Sequence, residues 1–163
     1  MYATEAQLYP DVIDWFQRIL KDKHKKSDIT VYDTSRENLS EFLRRKKLDI
    51  YFPEFETFVI KVDITGVILK GDKCQLAFIE CKLNDISLRD ISQLIGYSKV
   101  VKPTISIIAS PKGISQPVHI LFNVFKRYDI LNYVDKYEIK IGKWNSQTKE
   151  IDPATIIPHG RHM

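Results

Sequence analysis

The chain is short of the residues that define several protein classes. Its 163 residues include two cysteines, two methionines, six glycines and four histidines. The cysteines are Cys74 and Cys81. If one strand carries both, seven residues at about 3.3 Å each set them ~23 Å apart. A disulfide needs Cα atoms within about 7 Å. Both are therefore expected to be reduced, and the protein intracellular and cytoplasmic. His24, His119, His159 and His162 stand at no zinc-ligand spacing to the cysteines. No apolar run approaches the ~18 residues of a membrane span, and no signal-peptide pattern opens the chain. Repeats and low-complexity tracts are absent.

What is present suits a folded domain. The chain is 44% hydrophobic and 28% charged, too apolar for disorder and long enough to bury a core. Net charge is +4 and the pI about 8.9. The positive charge is concentrated in "KDKHKK" (Lys21–Lys26) and "RRKK" (Arg44–Lys47). Such runs are either solvated helix ends or phosphate contacts. Residues 1–158 read as one domain. The terminal "HGRHM", 159–163, is set apart as a tail of the kind an expression vector leaves.

Periodicity places the elements. "TEAQLYPDVIDWFQRILKD" carries an apolar helical stripe at Leu8, Val12, Trp15, Phe16 and Ile19, with Thr4 as a candidate cap. "DITVYDTS" reads as a strand. "SRENLSEFLRRKK" reads as a helix with Ser35 or Asn38 as its cap. "LDIYFPEFETFVIKVDITGVIL" predicts a strand, a break at Pro53 and a long second strand. "CQLAFIECKL" is the next strand. "ISLRDISQLIGYSKVV" is a helix with a capping box, Ser87 and Asp90, and a core face of Leu88, Ile91, Leu94 and Ile95. "TISIIAS" is a buried strand, "QPVHILFNVFKRY" a helix and "YEIKIGKW" an edge strand. The order predicts an α/β domain on a mixed central β-sheet flanked by helices.

The "KGDK" turn sharpens one feature. Gly71-Asp72 suits a two-residue hairpin, which sets Lys70 opposite Lys73. Extending that register sets Asp63 opposite Glu80 and Lys61 opposite Lys82. Directly opposed carboxylates repel. A divalent cation bound by hard oxygens would offset this, with the Cys81 carbonyl as a third donor. The bland alternative is a mixed-charge ladder in which Lys61 and Lys82 neutralise the acids. Against it, the strand is apolar on both faces, with Ala77, Ile79 and Cys81 on one and Leu76 and Phe78 on the other.

An acid in "VDITG" (Asp63), then "IECK" (Glu80, Lys82), then a helix, resembles the PD-(D/E)XK nuclease superfamily. The resemblance covers about residues 5–110. "QLIGY" is similar to the Q-x-x-x-Y motif of RecB-like members. Its Gln93 and Tyr97 share a helix face that Arg89 extends. The same residues could form an ordinary polar stripe. Glu5 matches in place the first-helix glutamate of many members, archaeal Holliday-junction resolvases among them. It would equally suit a first helical turn as a plain acid. No proline precedes Asp63, and the histidine of many RecB-like members is missing.

The resemblance implies a restriction-endonuclease-like fold and Mg²⁺-dependent hydrolysis of DNA, with Mn²⁺ as a substitute. It gives Asp63, Glu80 and Lys82 the catalytic roles. The metal would lie on Asp63, Glu80 and the Cys81 carbonyl, with Glu5 as a helper. Arg89, Gln93 and Tyr97 would hold DNA. DNA repair or recombination, and a homodimer, are the matching expectations. Two alternatives remain: an inactive nuclease-fold module that binds nucleic acid or a protein, and an interface built on "YEIKIGKW" with structural acids.

Overall fold

The computed structural model describes residues 1–160 and 163; the remainder of the expected tail lies outside the described residues. A long helix α1 (Glu5–Lys23) leads into strand β1 (Asp28–Asp33) and a short helix α2 (Leu39–Arg45). Strands β2 (Ile64–Lys70) and β3 (Lys73–Cys81) form the predicted hairpin. Helix α3 (Leu88–Val101), strand β4 (Ile105–Ser110) and helix α4 (Gln116–Asn123) follow. Four short strands close the chain: β5 (Asn132–Val134), β6 (Tyr137–Glu138), β7 (Lys140–Asn145) and β8 (Glu150–Ile151).

The main sheet is mixed and six-stranded, in the order β1-β2-β3-β4-β7-β8. β1, β2 and β3 are antiparallel neighbours, whereas β3, β4 and β7 run parallel. The architecture is therefore α/β, with helices on both faces. α1 covers one face, packing Leu8, Val12, Phe16 and Leu20 with Ile64, Ile68, Ile79 and Ile107. On the other face α2, α3 and α4 pack Phe42, Leu94 and Phe122 with Val67, Phe78 and Ile108. Such a core explains why β3 is apolar on both sides. Gly66 permits the close approach of α1, since a Cβ there would meet Leu20 Cδ1 at 2.6 Å. Gly71 takes φ +60° in the hairpin turn, a conformation that glycine adopts without strain.

Cys74 and Cys81 are free, as expected from their separation. Among the described residues, no helix is long and apolar enough to cross a membrane. His159 is not a loose end: it contacts Asn123 at 3.1 Å and the ring of Tyr128.

Several expectations need correction. No strand forms between Leu48 and Pro53; Asp49–Tyr51 and Phe55–Thr57 are single 3₁₀ turns. The aromatic residues of that stretch fill the space beside α2 instead of pairing as a strand, with Phe52 edge-on to Phe58. The fourth helix stops at Asn123, short of "VFKRY". The "YEIKIGKW" stretch is not an edge strand. Its first part lies in the small β5-β6 ribbon, and β7 is flanked by β4 and β8. Trp144 is buried edge-on to Trp15, so the interface proposed for this stretch loses its aromatic anchor. Leu88 is 49% exposed and leaves the core face to Ile91, Leu94, Ser98 and Val101. Thr4 and Asn38 occupy the N-cap positions without side-chain cap bonds, and Ser35 bonds Asp33 instead.

The capping box of α3 forms as predicted: Ser87 Oγ accepts from the Asp90 N–H, and Asp90 Oδ2 accepts from the Ser87 N–H at 2.8 Å. Ser87→Ala should lower stability by about 1 kcal/mol. Urea denaturation checks this; an unchanged midpoint would show that the cap is not needed.

Candidate active site

The acids meet where β3 ends. In an open α/β sheet this is the usual place for a ligand, beyond the carboxyl ends of the strands. The hairpin register holds from Lys70↔Lys73 to Ile64↔Ile79 and then stops. Asp63 is not a ladder partner of Glu80, nor Lys61 of Lys82. The reason lies in the preceding segment. Thr34 draws it away: the Thr34 N–H donates to the Asp63 carbonyl at 2.9 Å, and Thr34 Oγ1 to the Val62 carbonyl at 2.6 Å.

The two acids are still neighbours, joined differently. The Asp63 carboxylate takes the place of a ladder partner: its Oδ2 accepts from the Cys81 N–H at 2.8 Å. Its Oδ1 accepts from the Tyr9 hydroxyl at 2.9 Å. Glu80 is 6% exposed. Lys82 Nζ lies 3.2 Å from Glu80 Oε1 and 4.0 Å from Asp90 Oδ1. Glu80 Oε2 is buried with no hydrogen-bond partner. A buried, unpartnered carboxylate oxygen is costly and calls for a functional reason.

The electrostatics record this crowding. Burial, then the Asp63 charge, pushes Glu80 up to about 7. Burial likewise raises Asp63, against the pull of the Cys81 N–H and the Tyr9 hydroxyl. Glu5 is raised by burial and Asp63, while Lys82 and the Leu83 amide pull it down. Burial opposes the Lys82 charge, but Glu80, Glu5 and Asp63 outweigh it and hold the ammonium above its usual range. Tyr9 is pushed far up, chiefly by burial and Asp63, and remains a donor. Four carboxylates, those of Glu5, Asp63, Glu80 and Asp90, thus surround one ammonium.

The structure brings together Glu5, Asp63, Glu80 and Lys82 from the sequence-derived set. The Cys81 thiol faces the α1 side of the core, and burial holds its pKa high, so only its backbone serves the site. Among the described residues, no three acidic, histidine or cysteine side chains converge as they stand on one metal position. Arg89 and Gln93 are exposed on α3, and Tyr97 is partly buried against the core.

Two contributors were missed. Tyr9 was passed over in the helix stripe, although it is four residues from Glu5 and so on the same helix face. Asp90 was assigned only a capping role. Its second oxygen, Oδ1, lies 4.0 Å from Lys82 Nζ.

No protein-family model matches the chain, and no curated protein matches it.

Proposed function

We propose that the chain is a PD-(D/E)XK-type, metal-dependent nuclease that hydrolyses phosphodiester bonds in DNA. One observation carries this reading: the buried Glu80 carboxylate, with Lys82 on one oxygen, no partner on the other, and Asp63 beside it. A structural ion pair has no need of the second acid or of the bare oxygen. The element order supports a restriction-endonuclease-like fold. An acid precedes one strand, Glu-x-Lys ends the next, and a helix crosses to a parallel neighbour.

The donor set fits Mg²⁺ or Mn²⁺, since hard carboxylate oxygens and a net negative site suit small divalent cations. Asp63 and Glu80 would hold the ion, with the Cys81 carbonyl and Glu5 as further oxygens. A divalent cation there would acidify water and neutralise charge on the scissile phosphate. Lys82 orients the attacking water and offsets the negative charge that builds on the phosphate. Tyr9 and the Cys81 N–H hold the Asp63 carboxylate in place. Asp90 steadies Lys82. Arg89, Gln93 and Tyr97, on successive turns of α3, contact the DNA backbone.

A second reading has one observation in its favour. Among the described residues, no three acidic, histidine or cysteine side chains converge on one metal position, as suits an inactive module that binds nucleic acid or a protein. Calorimetric titration with Mn²⁺ separates the two, because a degenerate site would take up no ion specifically.

The deciding experiment is cleavage of linear duplex, single strand, flap and four-way junction with Mg²⁺ and with Mn²⁺. Cutting of any of them, lost on chelation, is the expected result; no cutting with either ion sinks the proposal. Arg89→Ala should weaken DNA binding and lower the salt slope by about one, with little sequence dependence. An unchanged slope would remove Arg89 from the DNA surface.

A further inference from the structure

The two basic runs have different fates in the fold. In "RRKK", Arg45 pairs with Glu37, Arg44 lies 3.7 Å from Glu56, and Lys46 sits over the Tyr32 ring at 4.7 Å. Those cations are largely engaged within the molecule. The other run is not. Lys23, Lys25 and Lys26 line an open cleft of about 780 Å³ together with Lys70 and Lys73 from the hairpin turn. His24 lies among them. Two acids, Asp22 and Asp72, also line the cleft and leave the lysines in excess. None of these five lysines has an ion-pair partner among the described residues.

Folding alone does not account for this arrangement. Lys23, in the last turn of α1, favours the helix dipole. That does not extend to Lys25 and Lys26 beyond the helix end, nor to the hairpin. Lys70 and Lys73 are direct cross-strand partners, a like-charge pair that weakens a hairpin. Burial and the neighbouring Lys23 and Lys70 hold the His24 pKa below its usual value, so cations from both elements reach that ring. Like charges gathered from two separate elements, in excess over the two acids beside them, suit a ligand that carries several negative charges close together.

We propose that the cleft between the end of α1 and the β2-β3 turn binds a run of phosphates, supplied either by a nucleic-acid backbone or by a free polyphosphate. It lies at the far end of the hairpin from Glu80. The seven residues from Lys73 to Glu80 span ~23 Å of strand. One phosphate group cannot occupy both places. The cleft is therefore a second anion site, and its argument does not depend on catalysis at Glu80.

The test uses the full chain, inorganic tripolyphosphate and a short DNA duplex, with chelator present. Calorimetry should show tripolyphosphate binding, and the His24 ring resonances should move. Lys70→Gln/Lys73→Gln should weaken that binding by about tenfold or more, whereas Lys46→Gln/Lys47→Gln, an equal loss of charge elsewhere, should change it less than about twofold. If the backbone is the source, the first double variant also lowers the DNA salt slope by about two. If a free polyphosphate is the source, DNA affinity is unchanged while tripolyphosphate binding falls. No tripolyphosphate binding, or equal losses in both double variants, overturns the proposal. Glu80→Gln should bind tripolyphosphate as the parent does, so failure of the nuclease reading and failure of the cleft are separate results.

Discussion

Glu80→Gln and Lys82→Ala are each expected to lower DNA cleavage by about three orders of magnitude without unfolding the protein. Glu80→Gln keeps the shape of the side chain and removes the charge that the proposed divalent cation would need. Lys82→Ala removes the donor to Glu80 Oε1 and the cation nearest the acids. Neither residue is a large packing element: the core around them is built from Phe78, Ile79 and Ile108. The two variants should fail differently. Glu80→Gln should lose Mn²⁺ binding together with activity. Lys82→Ala should retain the ion and lose the rate. Cleavage assays beside Mn²⁺ calorimetry and circular dichroism read all three properties. A purified, folded variant that cuts at the parent's rate would sink the mechanism.

The second large effect is on stability, with the opposite sign. Glu80 has its pKa raised from near 4.5 to about 7 in the folded protein. Between those values the folded state holds a proton that the unfolded state has released. The parent's stability therefore falls as pH rises through this window, and the loss is complete above it. Asp63 is raised too and contributes in the same direction. Glu80→Gln cannot titrate. In chelator it should match the parent near pH 4 and exceed it near pH 8 by about 3 kcal/mol at most, or roughly 6–12 °C in Tm. Saturating Mg²⁺ should stabilise the parent at pH 8 by about 2–3 kcal/mol and leave Glu80→Gln unmoved. Thermal melts at the two pH values, with and without Mg²⁺, check both. If the gap between parent and variant does not widen with pH, Glu80 is not the strained carboxylate described above.

The two effects belong together. A carboxylate that weakens the protein when ionised and unpaired is retained where its charge has a use. A solvated mixed-charge ladder would show neither the bare Oε2 nor the loss of stability as pH rises. Lys61, which that ladder requires, is exposed and outside the strand pairing.

The strongest local signals in the chain held, although the caps expected at Thr4, Asn38 and Ser35 did not form. The apolar stripe of α1, the capping box of Ser87 and Asp90, and the end of α3 before Pro103 all follow from contacts within a few residues. The "KGDK" turn determined the register from Lys70 as far as Ile64, because a two-residue turn leaves little freedom in pairing. Two acids at the end of that hairpin were therefore legible from the sequence alone. What failed beyond those caps depended on distant partners. Thr34 ends the ladder one residue before Asp63, and it belongs to a segment some 30 positions away. "YEIKIGKW" looked like an edge strand because nothing near it in sequence indicates β4 as a parallel neighbour. The aromatics around Pro53 looked like strand residues because side-chain chemistry does not distinguish a half-buried strand from 3₁₀ turns that fill a gap.

The sequence by itself determined the hairpin, the helices beside it and the residue types able to bind metal and phosphate. These depend on turn chemistry and periodicity, which act over short range. Only the tertiary structure decided that Tyr9 and the Cys81 N–H hold Asp63, that Asp90 faces Lys82, and that Glu80 retains one bare oxygen. It also decided which basic run is engaged internally and which is left facing a cleft. Those outcomes depend on which elements meet in space, and burial then alters charges that sequence alone leaves alike.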